Sequence, residues 1–345
     1  MKLHDLIQEK ETFRIAFLGG SITEGAGASS HANRYSTRTV SALGKRYPEV
    51  KFEEVNAGIG GTPSALGMFR LERDVLSKKP DLLFVEFAVN DGGDPNCGRF
   101  MEAIVRESLA YDPKLPIVFL YTFSASMYEG YRQGQDPRSV CIHREIAEYY
   151  RIPQINLGPD LAQKIYDYGG NYLNFMKDGA HPSDDGYATY TDTIMANLFQ
   201  KDFDIILPEK PLSETVFQNP RMIFAEDLVQ EGWCISSHSL CGRTPNYVYA
   251  SAPGTKLHFS FEGCILGTLC GIEKDTGDLS VTVDGKDFGV VSTWDEYALR
   301  FNRGTYLLLA DNLAPGHHEV VLEILPTKKE KSEGTFIRIG ALLVG

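Results

Sequence analysis

The hydrophobic period of this 345-residue chain changes once, a little after residue 222, and that change limits what the chain can fold into. From residue 13 to about 200, short apolar runs rich in Val, Ile and Phe alternate with longer stretches of helical periodicity. This is the pattern of a parallel sheet wrapped by helices. Strands are expected over Arg14–Leu18, Lys51–Val55, Leu82–Ala88, Ile117–Thr122 and, more faintly, Gln154–Leu157. Leu82, Leu83, Phe84 and Val85 are apolar at every position, as a strand covered on both faces requires. Helices are expected over Thr37–Tyr47, Ser64–Ser77, Phe100–Tyr111, Pro137–Tyr150 and Asp184–Phe199, the second with one apolar face marked by Ala65, Met68, Phe69 and Leu76. Right-handed crossovers then bring the strand-to-helix loops to one sheet edge, gathering Ser21, the Asn56–Thr62 segment and Asn90.

Residues 203–222 hold three prolines and lose the helical pattern, so the domain connection is placed there. Beyond it the period is two: Leu257, Phe259 and Phe261 alternate with polar residues, as do Leu279, Val281 and Val283, while Val320, Leu322 and Ile324 alternate with Val321 and Glu323. Asp284-Gly285 is a strong hairpin turn and Pro315-Gly316 a second turn signal. The expected organisation is an α/β domain over residues 1–205 followed by an antiparallel β-sandwich of jelly-roll type over residues 213–345.

A net charge of −12 opposes binding to phosphate backbones, and Lys328-Lys329-Glu330-Lys331, the longest basic cluster, suits a solvated loop. No nucleic-acid partner is expected. Residues 1–10 lack the apolar core of a signal peptide, and no run approaches the ~18 apolar residues of a membrane span. The chain is therefore expected in the cytoplasm, with no membrane partner. There its six cysteines, Cys97, Cys141, Cys234, Cys241, Cys264 and Cys270, are expected to stay reduced, and no C-x-x-C occurs among them.

Acyl transfer by a serine needs a nucleophile, a base held by a carboxylate, and donors aimed at the developing oxyanion. Ser21 follows Gly19-Gly20 at the end of an apolar run, where an open α/β sheet presents its chemistry. His181 lies in Asp178-Gly179-Ala180-His181-Pro182, and a carboxylate three residues before a histidine on one loop can hold the imidazole in the accepting tautomer. An Asp beside Gly is equally at home as a turn or cap residue, and Asn90 as a loop amide satisfying backbone groups. G-x-G-x-x-G, G-x-x-x-x-G-K-[ST] and G-x-S-x-G are all absent, which excludes the usual nucleotide loops and the nucleophile elbow. Adjacent His317 and His318 are expected to point apart at the surface, so they share no metal.

Gly19-Gly20-Ser21, Asn56-Ala57-Gly58-Ile59-Gly60-Gly61-Thr62, Ala88-Val89-Asn90-Asp91 and Asp178-Gly179-Ala180-His181 resemble, in order and rough spacing, the four blocks of the SGNH (GDSL-type) hydrolases. The resemblance covers residues 13 to about 200 and implies a flavodoxin-like three-layer α/β/α domain. Position by position it implies that Ser21 is the nucleophile, His181 the base and Asp178 its orienter. It implies an oxyanion hole made by the Ser21 and Gly61 backbone N–H groups and the Asn90 side chain. Gly58 and Gly60 compete with Gly61 for that role, and the glycine just before the threonine is preferred. One departure is plain: many members carry Asp before the serine, and this chain carries Gly20. That Asp is no triad member, so hydrolysis is expected to survive.

The expected activity is removal of small acyl groups, acetyl foremost, from an oligosaccharide or small hydroxylated substrate, without cofactor or metal. The sugar and acetyl parts rest on analogy, because the β domain resembles modules that accompany some carbohydrate esterases of this family. Trp233, Trp294 and Tyr297 are aromatics able to stack on a sugar, although core packing is the commoner fate of such residues. An acyltransferase or a lipid esterase with the same triad, or a carbohydrate-binding protein that has lost catalysis, are the alternatives. Whether the β domain covers the site, binds substrate at a distance or forms a homo-oligomer interface is left open by the sequence.

Overall fold

The structure, a computed structural model, describes residues 2–214, 217 and 219–345. It divides into two compact units, Met1–Val216 and Phe217–Gly345.

The first unit is built on five strands: β1 (Thr12–Gly19), β2 (Lys51–Gly58), β3 (Leu82–Glu86), β4 (Ile117–Tyr121) and β5 (Gln154–Asn156). They lie in the order β2-β1-β3-β4-β5, and every pairing is parallel. Order and direction are those of the doubly wound flavodoxin-like fold, with its switch point beside β1. The helices are α1 (Leu3–Gln8), α2 (Ser21–Glu24), α3 (Tyr35–Arg46), α4 (Ser64–Asp74), α5 (Ala88–Asp91), α6 (Cys97–Tyr111), α7 (Tyr128–Arg132), α8 (Arg138–Tyr150), α9 (Gly158–Asp167) and α10 (Asp184–Leu198). The central strands β3 and β4 are buried at every residue, which is why they are apolar without alternation. Phe17 stacks on Phe84 across the β1–β3 pair, and Tyr35, Tyr187 and Tyr190 close the core on that face.

Two expectations over this unit change. The third strand stops at Glu86, and Ala88 already begins α5, so Asn90 sits on a one-turn helix rather than in a loop. Helix α9 carries a legible start, Gly158-Pro159-Asp160, with proline in the first turn and an acid beside it, although the apolar periodicity alone places no helix there.

The second unit holds two antiparallel sheets. One runs β13 (Arg303–Ala310), β10 (Leu266–Ile272), β15 (Ile337–Val344), β8 (Tyr247–Ala250) and β7 (Cys234–Ser236), with β6 (Arg221–Phe224) also pairing to β15. The other runs β12 (Lys286–Ser292), β11 (Asp278–Val283), β14 (Gly316–Ile324) and β9 (Lys256–Gly263). Inward residues of both, among them Leu257, Leu279, Val281, Leu322, Ile339 and Leu342, form one core, so the unit is a sandwich. Asp284 and Gly285 join β11 to β12 with φ of 52° and 73°, the paired positive angles of a type I′ turn.

Trp233 and Trp294 are buried, and the Trp233 indole N–H donates to the Lys256 carbonyl, whereas Tyr297 is exposed. His317 is exposed between Glu262 and Glu319, but His318 is buried against Phe261. The expectation of a surface position fails for His318 because alternation along β14 turns it inward, where Asp284 and the Ala314 carbonyl occupy its two ring nitrogens. All six cysteines are free. Among the described residues no helix is long and apolar enough to cross a membrane.

Candidate active site

Strand β1 ends in Gly19-Gly20, and Ser21 opens α2 at once. The turn is held from below by Glu86, at the end of β3, which accepts hydrogen bonds from the Gly20 N–H, from Thr23 Oγ1 at 2.9 Å and from Thr122 Oγ1 at 2.6 Å. Burial raises the Glu86 carboxyl to about 7, although these three donors pull it the other way. Arg70 of α4, itself buried, donates to the carbonyls of Gly19 at 2.9 Å and Ala57 at 2.6 Å, tying the ends of β1 and β2. From the opposite side the Tyr187 hydroxyl of α10 lies 3.0 Å from the Ile22 carbonyl and 2.7 Å from that of Ala26.

The loop before α10 supplies the histidine. Met176 and Pro182 form an isolated bridge, Lys177 N–H donates to the His181 carbonyl and Ser183 N–H to that of Phe175, so the loop is a closed turn. Ser183 caps α10, and Asp184 and Asp185 complement its dipole. Asp184 also accepts from the Ser29 amide and hydroxyl, which joins this loop to the segment after α2.

Ser21 Oγ is 3.0 Å from His181 Nε2, and His181 Nδ1 is 2.8 Å from Asp178 Oδ2. An ionised carboxylate only accepts, so Nδ1 carries the proton and Nε2 presents a lone pair to the serine hydroxyl. Asp178 Oδ1 accepts from the Ala180 N–H at 2.7 Å and the His181 N–H at 2.9 Å. Partial burial opposes ionisation of Asp178, but the imidazole and the two amides outweigh it and hold the carboxyl near 2. The aspartate is both a turn residue and a partner of His181, so the two readings of its sequence context coincide.

The glycines after β2 separate by what their N–H groups do. Gly58 donates to Asn56 Oδ1 at 2.9 Å and Gly60 to Glu24 Oε2 at 2.7 Å. The Gly61 N–H has no hydrogen-bond partner among the described residues, and neither has that of Ser21 or the Asn90 side-chain amide. Gly61 has φ of 68°, the left-handed region that favours glycine. Asn90 packs directly on Gly20: a Cβ built there would stand 1.9 Å from Asn90 Oδ1.

Glu86 and Arg70 belong to no motif of the sequence. Glu86 is a lone acid closing an otherwise apolar run, and Arg70 a lone cation within the buried length of α4. A charge in such a place is a signal, because burying it demands several hydrogen bonds.

A serine, an imidazole and a carboxylate in one hydrogen-bonded line at the C-terminal edge of a parallel sheet have the arrangement that acyl transfer by a serine requires. The sequence profile of the GDSL-like Lipase/Acylhydrolase family matches residues 17–189, and the chain belongs to that family of carboxylic ester hydrolases. No curated protein sequence matches it. Among solved structures, a two-domain esterase (CEX) active on acetylated mannans, co-crystallized with mannopentaose, superposes with a TM-score of 0.83 at 21% identity, over 99% of this chain and 93% of that one. A second crystal structure of that esterase gives 0.81 at the same identity and coverage. Axe2, an acetylxylan esterase from Geobacillus stearothermophilus, gives 0.43 at 20% identity, over 57% of this chain and 97% of that one. The chain shares the two-domain fold of the CEX esterase over both units.

Proposed function

We propose that the protein is a serine esterase that removes acetyl and similarly small acyl groups from an oligosaccharide. Ser21 attacks the ester carbonyl while His181 Nε2 takes its proton. Asp178, accepting from Nδ1–H, stabilises the imidazolium that forms. The Ser21 and Gly61 N–H groups and the Asn90 side-chain amide then donate to the tetrahedral oxyanion. As the tetrahedral intermediate collapses and its bond to the sugar oxygen breaks, His181 gives the proton to that oxygen, and water repeats the sequence on the acyl-enzyme. The observation that carries this reading is the line Ser21–His181–Asp178, with both gaps at hydrogen-bond length. The unspent donors beside it favour Gly61 over Gly58 and Gly60.

The carbohydrate part of the proposal rests on the fold shared with an esterase active on acetylated mannans. Turnover of p-nitrophenyl acetate by the purified protein, set against Ser21→Ala, tests the chemistry; equal rates would refute it. Acetate release from acetylated manno-oligosaccharides, set against a series of p-nitrophenyl esters of growing chain length, tests the substrate. A preference for long acyl chains would make the protein a lipid esterase instead.

A further inference from the structure

Beneath Asn90 lies a second Asp–His pair, away from solvent. Asp91 Oδ2 is 2.8 Å from His143 Nε2 on α8, and the two side chains are 1% and 0% exposed. Asp91 Oδ1 accepts the Ser64 N–H at 2.8 Å, at the first residue of α4 and three residues beyond Gly61. Helix α8 is further joined to α5 by Ser139 Oγ, which donates to the Ala88 carbonyl at 2.7 Å. His143 Nδ1 is buried with no hydrogen-bond partner among the described residues, and the ring lies beside Phe119 and Tyr121. Cys97 Sγ is close by, its ligand atom and those of Asp91 and His143 lying within 4.8 Å of one another. Both Asp91 oxygens are already engaged, and burial, reinforced by Asp91, pushes the Cys97 thiol up to about 12. The cluster is thus a neutral thiol beside a hydrogen-bonded pair and not a ready set of cation ligands.

Asp91 therefore touches three separate segments at once. It is the chain neighbour of Asn90, it fixes the start of the helix that follows Gly61, and it is anchored to the scaffold through His143. We propose that Asp91, braced by His143, is the positioning residue of the oxyanion hole, holding the Asn90 and Gly61 arms in one register. This rests on the assignment of Asn90 and Gly61 as oxyanion donors. A buried carboxylate is suited to this role because it accepts two strong hydrogen bonds in fixed directions, and a shift of about 1 Å in a donor is enough to lower a rate by about 10²-fold.

The test uses the full-length chain carrying Asp91→Ala, Asp91→Asn, His143→Gln or Asn90→Ala, with p-nitrophenyl acetate as substrate and phenylboronic acid as a tetrahedral probe. Asp91→Ala is expected to lower kcat about 10²-fold with KM within about threefold, because the arms act on the transition state. Asp91→Asn, which keeps an acceptor for Ser64, should lose about tenfold, and boronate affinity should fall in step with kcat. Leu161→Ala, a core truncation in α9, supplies a control of comparable Tm loss and should keep kcat. A kcat loss in Leu161→Ala equal to that in Asp91→Ala would overturn the proposal, as would unchanged kcat in Asp91→Ala. In the Asn90→Ala background, Asp91→Ala should cost less than in wild type, and strict additivity would overturn the coupling. Unchanged kcat in Asn90→Ala would overturn the oxyanion assignment and this proposal with it. Loss in Asn90→Ala with none in Asp91→Ala would overturn this proposal alone.

Discussion

Asn90 Oδ1 occupies the space that a side chain on Gly20 would need, 1.9 Å from where its Cβ would stand. The glycine before the serine is thus matched to the asparagine: an aspartate at position 20 and Asn90 in its present place exclude each other. Gly20→Ala is expected to displace the Asn90 amide and lower kcat on p-nitrophenyl acetate by roughly 10²-fold, the typical cost of one oxyanion donor, with the fold intact. Steady-state kinetics beside a circular dichroism melt check this. Unchanged kcat would mean that the Asn90 amide is not needed where it lies.

Gly61 raises a different expectation, because a Cβ there would meet nothing within 4 Å among the described residues and only its φ of 68° resists substitution. Gly61→Ala should lower stability by about 1 kcal/mol through backbone strain alone, measured by urea denaturation. The N–H is retained, so activity should suffer less than in Gly20→Ala.

Glu86 makes stability depend on pH in an unusual direction. Its carboxyl lies at about 7 in the fold and 4.5 in a free chain, so the folded state binds the extra proton between these values. Stability should fall as pH rises from 4.5 to 7 and level off above, by an amount of about 3 kcal/mol at most. Glu86→Gln should remove that slope. Denaturant midpoints across this range decide the matter, and an equal slope in the variant would contradict it.

His318 predicts a pH effect in the second unit. Burial works against its charge, but Asp284 on one ring nitrogen and the Ala314 carbonyl on the other both favour a proton, and the imidazole lies above its usual 6.5. The contribution is whole below pH 6.5 and lost as pH rises through the raised value. His318→Gln should lower thermal stability at pH 5.5 and matter less at pH 9.

Asp178→Asn should lower kcat by roughly 10²-fold, because an amide facing Nδ1 favours the tautomer that puts a proton on Nε2, against the serine. Its side chain is 58% exposed, so the loss should fall short of that at a buried triad. Since the carboxyl sits near 2, its contact with His181 persists as pH falls until that region, and any acid limb of the rate above pH 4 belongs to another group.

The layout of the sheet and the period-two sandwich are written in apolar spacing, and Ser21, Asn90, Asp178 and His181 in short motifs, so these are legible in the sequence. Helices α2 and α5 span four residues each, too few to carry a period, and so Asn90 has no visible helix. Among Gly58, Gly60 and Gly61 the sequence prefers Gly61 only through the family resemblance, and the physical ground, which N–H is spent on Asn56 and Glu24, is not written in it. Arg70, Glu86 and the Asp91–His143 pair act through contacts across elements, which no local pattern records.

Ser21 and His181 are separated by 160 residues of chain. During synthesis Ser21 therefore leaves the ribosome long before His181, ahead of β2 to β5. If Ser21 and His181 act as proposed, a nascent or prematurely terminated chain ending before His181 carries an ordinary serine with no means of acylating itself on cellular esters. On the proposed roles, reactivity arrives late, with the loop that carries His181, and an organophosphorus probe added to stalled chains of graded length should label only those long enough to have released that loop.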